Sequence, residues 1–122
     1  MTNILLFLFL LQFKHWFVDF LNQSNKEIIG KKIYANLAGI GHSFKHGIGT
    51  TICALFVLDL EIYYVLFAFI LGNIDFVLHY HIDWCKSNYG ESDSSKKEFW
   101  HWLGLDQMLH QITYIFLALM II

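Results

Sequence analysis

Histidine and aspartate recur in this sequence at intervals of four residues, inside segments that are otherwise mostly apolar. In "HWFVD", His15 and Asp19 have this spacing, which places both side chains on one face of a helix. The same spacing returns in "HSFKH", "DFVLHYHID" and "DQMLH". The residues of the pattern are His15, Asp19, His42, His46, Asp75, His79, Asp83, Asp106 and His110.

Imidazole and carboxylate groups together form the ligand sets of zinc, iron and manganese sites, and no thiolate is needed. The residues of the pattern exceed one tetrahedral site and would suffice for two ions. Two ions about 3.5–4 Å apart can activate a water molecule and hold a phosphoryl or acyl oxygen. We therefore expect one or two divalent ions, with zinc as first choice and iron or manganese as alternatives. The predicted reaction is hydrolysis of a lipid or an amphiphilic phosphoester, with Asp19 or Asp83 as the general base.

Other polar residues are expected to support this site. Amide side chains can orient metal ligands through hydrogen bonds, and lysines at the rim can hold an anionic headgroup. The first role is predicted for Gln23, Asn73 and Gln107, and the second for Lys14, Lys45 and Lys86. His81 and His101 fall outside the pattern, and we expect them to be solvated.

Four hydrophobic segments carry the pattern. They run from about residue 3 to 21, 37 to 58, 62 to 81 and 105 to 122. At a rise of about 1.5 Å per residue, each can cross a bilayer core of about 30 Å. Charged residues make up 15% of the chain and hydrophobic residues 57%, whereas soluble domains carry about 25% charged residues. The sequence therefore predicts an all-α fold, a four-helix transmembrane bundle that forms a single integral membrane domain over residues 1–122. Counted from alternate ends of the segments, eight residues of the pattern fall at two common depths, and Asp83 is outside them.

Lysine is concentrated in the first and third connections between these segments, at Lys26, Lys31, Lys32, Lys86, Lys96 and Lys97. Positive charge in short connections marks the cytoplasmic side of a membrane protein. Both termini and the turn at 59–61 are therefore predicted on the non-cytoplasmic side of a multi-pass protein in the inner cell membrane. With no basic residue before Lys14, the first segment is interpreted as a retained helix rather than a cleaved signal peptide. A net charge of −2 predicts no nucleic-acid partner, and membrane lipids or a second copy are the expected partners.

Four motifs together resemble a known family. "HWFVDFLNQ", "HSFKH", "HYHIDWCK" and "DQMLHQ", in this order, are similar to the family of domains of unknown function numbered 3307, small integral membrane proteins of bacteria and phages. The resemblance covers nearly the whole chain and includes His15, Asp19, Gln23, His42, His46, His79, Asp83, Asp106, Gln107 and His110. The prediction of Asp75 as a ligand depends only on its depth in the third segment. The resemblance implies no activity, although a looser similarity points to presumed metal-dependent membrane hydrolases.

Two alternatives use the same residues differently. An ion or proton channel or carrier would bind a cation or relay protons through the imidazoles and carboxylates. The other is a non-catalytic phage-type membrane protein, such as a pore former or an inhibitor of a host membrane protein. Without any site, the same residues would serve only as polar contacts between helices, at about 0.6 kcal/mol each. That is small compensation for an insertion cost of about 2.5–3.5 kcal/mol per charged residue, so the pattern as a whole favours a functional site.

Overall fold

The computed structural model describes residues 2–121 and is all-helical over them, as the sequence predicts. The elements are α1 (Thr2–Trp16), a π-helical turn (Phe17–Leu21), α2 (Asn25–Gly30), α3 (Leu37–Leu55), α4 (Ile62–Tyr89) and α5 (Lys97–Leu119). Two residues of the predicted domain, Met1 and Ile122, lie outside the described residues. Ile122 is also the last residue of the predicted fourth helix.

The helix bounds differ from the prediction mainly at one end of the bundle, where the first and third connections carry their lysines. We call this the lysine-bearing end. α4 continues to Tyr89 instead of ending near residue 81, and α5 begins at Lys97 instead of near residue 105. The predicted bounds followed the apolar composition, but helical hydrogen bonding continues through the polar turns beyond it. α2 was not predicted, and α3 ends at Leu55, three residues earlier than expected.

The four long helices pack side by side, with α1 and α4 each contacting both α3 and α5. Neighbours run antiparallel, since the Asn3 side chain donates to the carbonyl of Val57, 3.3 Å away, while the C-terminal end of α1 meets His46 on α3. α3 and α4 approach most closely at Gly47 and Gly72. A Cβ atom on Gly47 would lie 2.8 Å from the Gly72 carbonyl oxygen, so small residues are required at this crossing.

The interior has an apolar half and a polar half. The apolar half contains Phe7, Leu11, Cys53, Ala54, Ala68, Leu71, Tyr114, Leu117 and Ala118. In the other half the buried side chains are imidazoles, carboxylates, hydroxyls and an ammonium group. The outer surface is instead rich in large apolar side chains, among them Phe9 at 65% exposure and Phe69 at 54%. Two helical stretches, Asn3–Leu21 and Ile62–Tyr89, are long and apolar enough to cross a membrane.

The connection after α1 turns the chain back over the polar half. In the π-helical turn the Asn22 N–H donates to the carbonyl of Phe17, five residues earlier. A capping box then starts α2, because the Ser24 side chain accepts from the Glu27 N–H and the Glu27 carboxylate accepts from the Ser24 N–H. At its other end, Gly30 packs closely against α3, which fixes the position of the residues that follow.

Candidate metal centre

The structure brings eight of the nine predicted ligands together in the polar half of the interior. They form three overlapping groups in which the candidate ligand atoms all lie within 4.8 Å of one another. The groups are Asp19, His42, His46 and His79; His15, His79 and His110; and Asp83, Asp106 and His110. We call these eight residues the His/Asp cluster.

The first group has ligand atoms at separations close to those of a metal site. The Oδ1 atom of Asp19 lies 2.9 Å from the Nε2 of His42, 3.1 Å from that of His46 and 3.8 Å from that of His79. The Nε2 atoms of His42 and His79 are 3.3 Å apart. In a tetrahedral zinc site with bonds of about 2.0–2.1 Å, ligand atoms are about 3.3–3.4 Å apart. Four donor atoms from three helical elements thus surround a space that suits one ion.

A second ion could be held by another of the three groups, Asp83, Asp106 and His110. The Nε2 of His110 lies 3.6 Å from Oδ1 of Asp83 and 3.6 Å from Oδ1 of Asp106, too far for hydrogen bonds. Among the described residues, neither this Nε2 nor Oδ1 of Asp106 has a hydrogen-bond partner, although both are buried. A buried polar atom without a partner is costly, and a cation between these atoms would satisfy both.

His15 connects the two groups. Its Nε2 lies 3.2 Å from Oδ2 of Asp19 and 3.1 Å from Oε1 of Gln107, and its Nδ1 lies 2.8 Å from the hydroxyl of Tyr114. Gln107 also donates to Asp106 over 3.1 Å, so this one amide contacts two candidate ligands, His15 and Asp106. No role was predicted for Tyr114. The sequence could have indicated its contact with the cluster only through its position four residues after His110, one turn further along the same face of the helix.

The other amides predicted beside the metal have different positions. The Nε2 of Gln23 lies 3.4 Å from the Nε2 of His42, at the edge of the cluster. Asn73 is exposed and donates to the carbonyl of Phe69, so the structure does not bring it to the cluster. The Nδ1 atoms of His42 and His79 have no partner among residues 2–121, so polar contacts hold these two rings only through their Nε2 atoms.

Asp75 is the predicted ligand that the structure does not bring to the cluster. Its Oδ2 atom accepts from the ammonium of Lys14 at 2.7 Å and from the hydroxyl of Thr50 at 2.5 Å. Lys14 was predicted to hold a headgroup at the rim, but it is only 7% exposed and its ammonium also contacts Tyr114. Asp75 thus serves as the counter-ion of a buried lysine.

This ion pair touches the first group through His46. The ammonium of Lys14 lies 3.2 Å from Nδ1 of His46, and an ammonium can only donate. With Lys14 charged, Nδ1 accepts, and the Nε2 of the neutral ring carries the proton that it donates to Asp19. Ligation of an ion by this Nε2 requires the ring proton to move to Nδ1, and the Lys14 ammonium then has to give up its contact with Nδ1.

A family model described as a protein of unknown function, DUF3307, matches residues 5–122. The chain belongs to the DUF3307 family. This confirms the resemblance carried by the four motifs. No curated protein and no solved structure matches the chain. Because the DUF3307 description states no activity, function has to be argued from the geometry of the cluster and its surroundings.

Lys31 is a residue of this DUF3307 chain that the sequence did not indicate. Its ammonium lies 2.8 Å from Oδ2 of Asp83 and 3.9 Å from Oδ1 of Asp19, so it contacts carboxylates of both candidate ion sites. The capping box of α2 was the available signal, since a short helix there directs the following lysine back towards the other helices. His81 and His101 are exposed and lie outside the cluster.

The remaining two lysines that were predicted at the rim have different surroundings. Lys86 lines a cavity of about 210 Å³ that also contains Lys31 and Asp83. Lys45 lies 2.6 Å from the carboxylate of Glu27 beside a separate, more open cavity. Burial raises the pKa of Glu27, but hydrogen bonds from Lys45 and Ser24 outweigh it and bring this pKa down to about 2. Lys45 therefore already has an anionic partner.

Proposed function

We propose that this DUF3307 protein is a metal-dependent hydrolase of the membrane that cleaves a phosphoester bond in an amphiphilic substrate. The observation that carries the proposal is the convergence of Asp19, His42, His46 and His79 on one ion-sized space. The unsatisfied atoms of Asp106 and His110 support a second ion beside it. The donor set, imidazole and carboxylate without thiolate, suits zinc first and iron or manganese as alternatives. Bound there, such ions would supply Lewis acidity next to the substrate oxygen.

Asp83 is the cluster carboxylate best placed to act as general base. It lines the cavity in which a substrate could sit, whereas Asp19 is surrounded by three imidazoles, which suits a ligand. With its Oδ1 directed towards His110 and the second candidate ion site, Asp83 would accept a proton at Oδ2 from an attacking water molecule, whose oxygen forms the new bond to phosphorus. The P–O bond to the leaving alcohol then breaks, and the proton passes from Asp83 to that alcohol.

The arrangement of polar and apolar side chains supports a transmembrane position. Large apolar side chains face outward, while the charged and imidazole groups lie inside. Two of the long helices have the length and apolarity of membrane spans. We propose that α3 and α5, whose apolarity is lowered by the site residues they carry, complete a four-helix transmembrane bundle. The His/Asp cluster would then lie towards the lysine-bearing end, which the charge bias assigns to the cytoplasm of an inner-membrane protein.

A channel or proton carrier is less consistent with the interior. A conducting path would have to continue from the cluster through the other half of the helices. That half is filled by buried apolar side chains, including Phe7, Leu11, Leu71 and Leu117, which are fully buried. The polar region is open towards the lysine-bearing end and closed towards the termini, which suits a site where a reaction takes place.

Metal content of the purified protein tests the proposal. Elemental analysis after chelator-free purification in a neutral detergent should find one or two equivalents of zinc, iron or manganese in the parent protein. His42→Ala and His79→Ala should each lower this content by about one equivalent, because each removes a donor atom from the first group. His101→Ala is the matched control, since this exposed imidazole lies outside the cluster. A parent protein without bound metal, or an equal loss in the control, would rule out the metal centre.

A further inference from the structure

We propose that the cavity beside α2 is a phosphate-binding subsite, and that Lys31 turns into it when a divalent ion takes its place at Asp83. The inference deepens the proposed function and rests on it. It assigns the substrate a phosphate group with free anionic oxygens, and it makes ion binding the event that prepares the subsite.

The cavity has the charge and shape to hold such a group. Lys31, Lys32 and Lys86 line it together with Ser87, and Asp83 connects it to the His/Asp cluster. Within residues 2–121, no carboxylate forms an ion pair with Lys32 or Lys86, so both ammonium groups can take an external anion.

The acidic and apolar residues of the cavity are compatible with this role. The Glu91 carboxylate is directed to Lys96, 2.7 Å away, and accepts from the N–H groups of Ser92 and Asp93, so it is already satisfied. Ile28 and Phe99 also line the cavity and would contact an apolar part of the same substrate. An amphiphile with a phosphate group fits both kinds of lining.

Lys31 occupies the position of a cation in the structure. Its ammonium lies 2.8 Å from Asp83 and 3.9 Å from Asp19, which are carboxylates of the two candidate ion sites. A divalent ion ligated by the same carboxylates would repel the ammonium at this short range. The close packing of Gly30 on α3 fixes the backbone before Lys31, so the response falls to its flexible side chain. The nearest space for it is the cavity that it already lines.

The first measurement is binding of zinc and of inorganic phosphate to purified protein in a neutral detergent. Phosphate should bind the zinc-loaded parent at least about tenfold more tightly than the zinc-free parent. Lys31→Met should have opposite effects on the two ligands: zinc binds more tightly because a competing charge is gone, and phosphate binds about tenfold more weakly to the zinc form. A lysine with a merely structural role would weaken both when replaced.

Two further variants complete the design. Lys86→Met should weaken phosphate binding by about tenfold and leave zinc binding unchanged, since Lys86 contacts the cavity but no candidate ion site. Lys97→Met is the matched control, because this exposed lysine lies outside the cavity, and it should change neither affinity. If the parent binds none of zinc, iron and manganese, the proposed function fails and the inference with it. Zinc could instead bind as expected while the affinity for phosphate stays the same without zinc, or stays the same in Lys31→Met. Either result would overturn the inference alone.

The source of the phosphate group is then decided by competition. Glycerol 3-phosphate represents a soluble phosphomonoester, and nanodiscs that contain phosphatidic acid represent a lipid headgroup, with phosphatidylcholine nanodiscs as the control. The competitor that displaces labelled phosphate from the zinc-loaded parent, and not from Lys31→Met, identifies the source. Displacement by neither phosphomonoester would overturn the subsite.

Discussion

Replacement of Asp75 should lower the stability of the protein without removing its metal. The Lys14 and Asp75 side chains are 6% and 1% exposed, so solvent does not screen their 2.7 Å contact. In Asp75→Leu, the Lys14 ammonium would keep two uncharged partners among the described residues, the Tyr114 hydroxyl and His46 Nδ1, each at 3.2 Å. Removal of one partner from a buried ion pair typically costs about 3–5 kcal/mol. We expect Asp75→Leu near the upper end and Asp75→Asn near the lower end, because an amide oxygen still accepts one hydrogen bond.

The double variant Lys14→Met/Asp75→Leu gives this prediction its control. It removes both charges and keeps the volume roughly constant, so its free energy of unfolding should return to within about 1 kcal/mol of the parent. The hydroxyl of Thr50 loses its acceptor but can donate to a carbonyl of its own helix.

Denaturant titration in mild detergent, followed by tryptophan fluorescence, measures the free energy of unfolding, and elemental analysis measures the metal. Loss of metal in Asp75→Asn would contradict the prediction and would show that Asp75 is a ligand, as its depth alone suggests. A double variant as unstable as the single ones would show that the ion pair is not the cause.

The helix crossing and the membrane orientation give two further predictions. Gly72→Ala places a Cβ atom against Thr51 and 2.5 Å from the Gly47 carbonyl oxygen, so α3 and α4 must separate. It should lower the free energy of unfolding by about 1–3 kcal/mol and weaken metal binding, whereas Gly41→Ala, with open space around its Cβ, should do neither. Single cysteines at Ser24 and Ser94 should react with a membrane-impermeant thiol reagent only from the cytoplasmic side. Labelling from outside intact cells would reverse the proposed orientation.

The sequence located the His/Asp cluster because its two requirements are both local. A spacing of four residues fixes the face of a helix, and distance from the segment end fixes the depth, so His15 and His110 could be placed at one level before any contact was known. Depth, however, says nothing about lateral distance. Asp75 was therefore grouped with the ligands, although its nearest charged neighbour is Lys14.

Two other features could not be read from composition. The turn around Asp19 is π-helical instead of α-helical, and such a turn depends on the packing of the whole helix rather than on a residue type. Lys31 was assigned to the first connection between the hydrophobic segments and was given no role in the site, because the segment around it is polar. Only the return of the chain through α2, which is held by the capping box and the Gly30–Gly39 contact, brings this lysine to Asp83.

The short connection between α3 and α4 bears on how the chain is made. Only residues 56–61 separate the two helices, so a ribosome delivers them nearly together, whereas α5 emerges later. Alone in lipid, α3 would expose His42, His46 and Lys45, at an insertion cost of roughly 2.5–3.5 kcal/mol for a charged residue. Docked on α4 through the glycine crossing, both imidazoles contact the His79 ring of the partner helix instead. For the proposed transmembrane bundle, we therefore expect the translocation machinery to release α3 and α4 into the bilayer as one hairpin, with the imidazoles already shielded.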